Sequence, residues 1–295
     1  MVNIIKEKIS NQEYFYLEHS YRKDGKVKKI KKYLGKKTPK NVDEIKKEFM
    51  TEFYKEKWFN KFDTIKKNYK KELKNIPKSA KLKDTDNFAI KFTYNTNKIE
   101  GSTLTYRETA SLLEYGISPT RKPISDIKEA ESHKNLFLEI LQYNKDLSLN
   151  IILTWHKELL KSTKKDIAGK IRRHQVKIAG SKFIPPLVVE LNFLLKDFFK
   201  WYNKEKNKIH PIELAALVHL KFVTIHPFSD GNGRMSRLMM NFILNKHGFP
   251  LLDIEYANRN SYYNALERSQ TKEDNSIFLN WFFKKYLKEY KSYLD

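Results

Sequence analysis

The 295-residue chain contains no cysteine, which removes disulfides, thiolate zinc sites and cysteine nucleophiles from consideration. Glycine and proline are sparse at 9 each, too few for a turn-rich β-sandwich, so a mostly helical protein is expected. No run reaches the apolar length of a membrane span, and no membrane partner is expected. Residues 1–13 lack the apolar stretch of a signal peptide, which leads to an expected cytoplasmic location. Acidic residues are the scarcer charge, 35 against 58 Lys and Arg, giving a formal net charge of +23. That excess suits a polyanionic partner, but lysines scattered along the chain equally suit solvated helix faces. What is plentiful is apolar surface: 40% hydrophobic residues with 32% charged ones describe a globular chain with a sizeable core.

Three regions are expected. Residues 1–40 form a small basic β-hairpin, with Tyr14–Tyr21 and Val27–Leu34 as strands, Asp24-Gly25 as the turn and Gly35 as the end. Its interleaved lysines and tyrosines could meet nucleic acid or could simply be a wet face. Residues 41–83 form a long helical linker region, capped by Asn41 and Glu44, striped by Phe49, Phe53, Tyr54, Trp58 and Phe62, and broken before Pro77. Residues 84–295 form one helical domain. Thr105 and Glu108 make a capping box there, and Gly116 closes the helix they start. Further helices are expected near 125–143, 149–162, 187–203, 211–225, 231–246, 257–269 and 275–293. One stretch, Gln175–Ile184, is β-prone, contains Gly180 and stops at Pro185-Pro186, which reads as a short hairpin.

The chemistry concentrates in His226-Pro-Phe-Ser-Asp-Gly-Asn-Gly-Arg-Met-Ser-Arg237, between two apolar helical stretches. Gly231, Asn232 and Gly233 let backbone approach a ligand closely, because the glycines carry no Cβ. The next helix presents unpaired N–H groups and the positive end of its dipole, an anion site. Arg234 and Arg237, three apart on that helix, add donors for phosphate oxygens. Asp230 is an oxygen ligand suited to magnesium held together with phosphates. His226 can take a proton at neutral pH, and Phe228 reads as an apolar peg anchoring the loop. Together they form a phosphoryl- or nucleotidyl-transfer set; a purely structural helix–turn–helix would need fewer of them.

The segment resembles the signature of the Fic domain family, His-x-Phe-x-(Asp/Glu)-Gly-Asn-Gly-Arg-x-x-Arg, at every fixed position, and similarity to the family extends over roughly residues 87–294. The resemblance implies a Fic-type helical fold with a β-hairpin flap, ATP as co-substrate and Mg2+ as cofactor. It implies AMP transfer to a Ser, Thr or Tyr hydroxyl of a target protein, or of the chain itself. By the same resemblance His226 is the general base, Asp230 holds magnesium, and Gly231, Asn232 and Gly233 shape the α- and β-phosphate site. Arg234 would meet the β-phosphate and Arg237 the γ-phosphate. Val176, Ile178 and Phe183 look like the flap that aligns the target by strand pairing. Tyr262 and Tyr263 look like the adenine-pocket segment, although adjacent tyrosines equally suit plain packing.

Upstream, Thr96-Asn-Lys-Ile-Glu100-Gly101 would alone be an ordinary helix end. Beside the signature it resembles the family's inhibitory motif, which puts an inhibitory helix near 85–101 and pairs Glu100 with Arg237. The same glutamate would permit AMP removal. Three alternatives stand: a Fic-type phosphotransferase, a nucleic-acid-associated regulatory protein with a silent Fic site, and a metal hydrolase; a homo-oligomer would be a setting for regulation. His219 and His226, seven apart, lack the usual spacing of a metal pair, and the other histidines show none either.

Overall fold

The computed structural model describes residues 2–23 and 25–294. The chain divides into two compact units, Met1–Asp63 and Thr64–Asp295. In the first unit, β1 (Val2–Ile9), β2 (Gln12–Lys23) and β3 (Lys26–Gly35) form an antiparallel sheet in that order. The expected hairpin is β2–β3; Asp24 of its turn lies outside the described residues. β1 is an addition. Its turn is Ser10-Asn11, both at positive φ, the primed geometry that matches strand twist. Ser-Asn is a weak turn signal and Val2–Ile9 alternates poorly, so the strand was not legible.

β2 turns Leu17, His19 and Tyr21 toward α1 (Val42–Tyr54), where the Phe53 ring lies 4.9 Å from His19 and 5.0 Å from Tyr21. A five-residue π-helical segment, Lys55–Phe59, joins α1 to α2 (Asn60–Asn75). The wider turn rotates the apolar stripe so that Trp58 and Phe59 are both buried. On the other face of the sheet Lys29 pairs with Glu18 at 2.9 Å and Lys31 with Glu7, so part of the basic strand is neutralised locally.

The second unit is all helix: α3 (Lys78–Ile99), α4 (Tyr106–Tyr115), α5 (Ile124–Gln142), α6 (Leu149–Leu160), α7 (Leu191–Glu205), α8 (Pro211–Ile225), α9 (Asn232–Lys246), α10 (Arg259–Thr271) and α11 (Asn275–Glu289), with single 3-10 turns before α7 and α10 and after α11. α8 is apolar around its whole circumference, and such a helix must be covered on all sides. α7, α9 and α11 cover it, while α3, α5 and α6 pack on α9. The α8–α9 pair is therefore the core, and the loop joining it is clamped at both ends. The capping box forms, with Thr105 N donating to Glu108 at 2.8 Å and Glu108 N to Thr105 Oγ1 at 3.2 Å, and Gly116 ends α4 at φ 69°.

The hairpin expected at 175–184 is corrected. The segment is irregular, with a turn at Ala179-Gly180 and no strand ladder. Its backbone groups are bound to side chains instead: Lys182 N donates to Glu267, Phe183 N to Ser181 Oγ, and Gln175 Nε2 reaches the Pro185 carbonyl. Pro185 and Pro186 bring no donor to a ladder. Val176 and Ile178 are half-buried with Lys177 exposed between them, so the period of two survives without a partner strand.

Candidate active site

α8 ends at His226, which adopts the left-handed conformation (φ 51°, ψ 55°) and turns the chain sharply into the loop. Its Nδ1 lies 3.2 Å from the Val223 carbonyl. A carbonyl can only accept, so Nδ1 carries the proton and Nε2 is left as the free base nitrogen. Burial lowers the His226 pKa, as does the Arg172 charge, against the opposing pull of the Val223 carbonyl, Glu100 and Asp230.

Phe228 is buried and lies flat on His156, with ring centroids 3.6 Å apart and planes 6° apart. His156 Nδ1 accepts from Gly169 N at 2.9 Å, so its Nε2 carries the proton and donates to the Asp230 carbonyl at 3.0 Å. Burial pulls its pKa to about 4, which fits this neutral tautomer. Asn232 closes the loop upon itself: Oδ1 accepts from Phe228 N at 2.9 Å and Nδ2 donates to Phe228 O at 2.8 Å. Its side chain is thereby committed to shaping the loop, and only its backbone remains for an anion.

Gly231 caps α9 at φ 80°, a conformation that favours glycine. Asp230 sits before it with both oxygens engaged: Oδ1 accepts from Arg234 at 3.1 Å and from Gly231 N at 2.5 Å, and Oδ2 from Lys164 at 2.5 Å. Burial works to raise the Asp230 pKa; Arg234 and Lys164 outweigh it and hold the carboxyl at about 2. Glu129 completes a ring of charges, pairing with buried Arg234 and, at 3.2 Å, with Lys164. The ring lies at the base of the loop, so Arg234 is engaged by carboxylates on two sides.

Arg237, 1% exposed, is held by α3. Its Nε donates to Thr96 Oγ1 at 2.9 Å, and one terminal nitrogen donates to Glu100 Oε1 at 2.6 Å. The other lies 3.4 Å from the Tyr262 hydroxyl, which His219 supports at 2.9 Å from below. Burial works against the Arg237 charge; Tyr262 and Glu100 more than restore it. Glu100 caps the end of α3, and Gly101 follows at φ 101°. Its carboxylate lies directly over Gly233: a Cβ there would come within 2.4 Å of Glu100 Oε1.

His226, Gly233, Arg237 and Glu100 face one cavity of about 740 Å³, whose walls also include Gly180 and Tyr263, whereas Asp230, Gly231, Asn232 and Arg234 are outside its lining. Tyr262 is buried at its edge, while Tyr263 stands in the wall with its hydroxyl on the Ile99 carbonyl at 3.0 Å. Ile178 also faces the cavity; Val176 and Phe183 are outside its lining. Sequence reasoning missed His156, Glu129 and Lys164. His156 lies on the apolar stripe of α6 with Ile152, Trp155 and Leu159, a hint of a buried polar role that spacing rules for metals cannot detect.

Asp230 is a hard, ionised carboxylate of the kind magnesium takes, and because Lys164 engages its Oδ2, an ion held there would have to displace that ammonium. Among the described residues no group of three or more His, Asp or Glu is placed to hold a metal alone. No helix among them is long and apolar enough to cross a membrane.

Residues 146–244 match the Fic/DOC family. The protein adenylyltransferase Fic of Aedes aegypti is 35% identical over 183 residues, 60% of this chain and 36% of that protein. The chain thus spans little more than a third of the length of such curated relatives. Among solved structures, a Fic-domain-containing signaling protein from Bacteroides thetaiotaomicron superposes with TM-score 0.70 at 28% identity, over 78% of this chain and 95% of that one. A Fic-1 fragment from C. elegans gives TM-score 0.66 at 27% identity, over 80% and 70%.

Proposed function

We propose that this chain, which carries a Fic domain, is a protein adenylyltransferase that moves AMP from ATP to a Ser, Thr or Tyr hydroxyl of a protein. One observation carries the reading: a histidine with its Nε2 free, a glycine-lined helix N-terminus and a buried arginine open onto the same cavity. His226 Nε2 takes the hydroxyl proton. The oxygen bonds to the α-phosphorus, the bond from that phosphorus to the bridging oxygen breaks, and pyrophosphate leaves with the electron pair. The first turn of α9 offers backbone N–H groups to the α- and β-phosphates, and Arg237 offers its guanidinium to the γ-phosphate. Arg234 keeps Asp230 ionised and adds positive charge beneath the β-phosphate. Magnesium, when bound, would be held by Asp230 and would offset charge on the phosphate oxygens. The flap has no partner strand of its own, and its main chain at Val176 and Lys177, outside the turn at Ile178–Ser181 and the side-chain contacts at 182–185, is where an extended target segment would pair.

Glu100 supports a further reading, that the site is inhibited from within. Its carboxylate occupies both the guanidinium that a γ-phosphate would need and the space over Gly233. ATP binding beside it would displace the α-phosphate from the line of attack, and an ångström of misplacement costs about a hundredfold in rate. The Glu100 side chain is 30% exposed, so release costs less than breaking a fully buried pair.

The test is incubation of wild type, Glu100→Gly and His226→Ala with α-labelled ATP and magnesium. The expected self-labelling is weak, strong and absent. Label on the histidine variant would overturn the general-base role, and equal labelling of wild type and Glu100→Gly would overturn the inhibition. A mass increase of phosphate rather than AMP would select phosphotransfer with a reversed nucleotide.

A further inference from the structure

Arg172 is 2% exposed, yet among the described residues no carboxylate pairs with it. Its donors go to backbone carbonyls and one amide. Nε donates to the His226 carbonyl at 2.9 Å, one terminal nitrogen to the His174 carbonyl at 3.1 Å, and the other to the Pro186 carbonyl at 2.6 Å. Gln175 Oε1 lies 3.5 Å away, and its amide donates in turn to the Pro185 carbonyl at 2.9 Å. The Arg172 backbone N–H donates to Pro227 O at 2.9 Å.

These acceptors have a common logic. His174 and Pro186 are the two ends of the flap, and His226 and Pro227 are where α8 turns into the phosphate loop. With no ladder inside the flap, nothing in its own backbone fixes the spacing of its ends. A planar guanidinium can set that spacing. Its five N–H donors leave in fixed directions, so the groups that receive them are fixed relative to one another. A lysine ammonium could not span the same set.

We propose that Arg172 is a positioning residue that locks both ends of the flap to the main chain of His226, so that a target segment laid along the flap meets the imidazole at a set distance. This rests on the adenylyl-transfer reading for its consequence, but not for its geometry. Arg172 also places a positive charge close to the imidazole, which lowers the His226 pKa. Geometry and charge are separable by substitution: Arg172→Lys keeps the charge and loses the fork, whereas Arg172→Gln loses both.

The experiment uses the full chain in the Glu100→Gly background, with Arg172→Gln, Arg172→Lys and, as a milder change at an exposed side chain, Gln175→Ala. Three readouts are taken: limited trypsin cleavage at Lys177 and Lys182, NMR titration of the His226 imidazole, and self-labelling rate against ATP concentration. The expected result is faster flap cleavage in all three variants, at unchanged thermal unfolding of the remainder. Maximal labelling falls in both Arg172 variants by on the order of ten- to a hundredfold, with KM for ATP unchanged, because the phosphate loop is intact. The imidazole titration moves up in Arg172→Gln and stays in Arg172→Lys. Cleavage at the parent rate in every variant that folds overturns the proposal, as does a loss that appears only as raised KM for ATP. A Glu100→Gly parent that does not label at all defeats the adenylyl-transfer reading instead, and cleavage and titration then decide the role of Arg172.

Discussion

The contact of Glu100 with Gly233 makes one residue responsible for two costs. A methyl group at position 233 meets Glu100 Oε1 at 2.4 Å and an Arg237 nitrogen at 3.2 Å. In wild type, Gly233→Ala must push the carboxylate off Arg237. In the Glu100→Gly background that obstruction is gone, and replacing a helical glycine gains about 0.5–1 kcal/mol. Gly233→Ala is therefore expected to destabilise wild type and to be neutral or stabilising in Glu100→Gly, read by chemical denaturation as a double-mutant cycle. Additive effects would separate the two residues. His226 gives a second expectation at this scale. Its pKa is lowered below the usual 6.5, so its free nitrogen is already available at that pH. Self-labelling by Glu100→Gly should therefore reach its acid half-maximum below pH 6.5; a half-maximum above pH 6.5 would contradict it.

At the scale of elements, α3 is stitched to the core along its length, not just at Glu100. Thr93 meets His133 at 2.8 Å, Asn95 donates to Asp253 at 2.6 Å and accepts from Tyr256 N at 3.0 Å, and Thr96 holds Arg237. Release of Glu100 is then a matter of the last turn rather than of the whole helix. Gly101 ends that turn at φ 101°, where any Cβ is strained by about 1–2 kcal/mol. Gly101→Ala is expected to loosen the turn and to raise wild-type self-labelling several-fold with Glu100 still in place. Labelling at the wild-type level in a folded Gly101→Ala variant would mean that the cap exerts no control.

For the whole molecule, acid stability follows from groups buried around the site. His156 titrates at about 4 when folded and near 6.5 when unfolded, so the folded state binds fewer protons and stability is lost as pH falls through that window. His133 and His219, also lowered by burial, act with the same sign. Asp253 has the opposite sign. Burial pushes it up to about 7, so the folded form holds a proton that the unfolded one releases, and its contribution is lost as pH rises from about 4 to 7. Asp253→Asn should therefore raise Tm at pH 8 relative to wild type and make the decline from pH 7 to 4 steeper. Parallel Tm curves for the two proteins would exclude this linkage.

Local pattern alone gave the phosphate loop, because its chemistry sits in twelve consecutive residues, and it gave the helices of the second unit, because each carries its own caps and apolar period. It could also suggest, by likeness, that Glu100 faces Arg237 across 137 positions. Only tertiary packing revealed what holds those parts in place. His156 beneath Phe228, the Glu129–Arg234–Asp230–Lys164 ring and the Arg172 lock join residues from separate helices and loops, and no period or spacing along one segment encodes such meetings. The missing flap ladder has in part the same origin. Its β-prone residues state a preference, but groups at 182–185 that a ladder would use are taken by side chains, Glu267 from α10 and Ser181 and Gln175 from the segment itself.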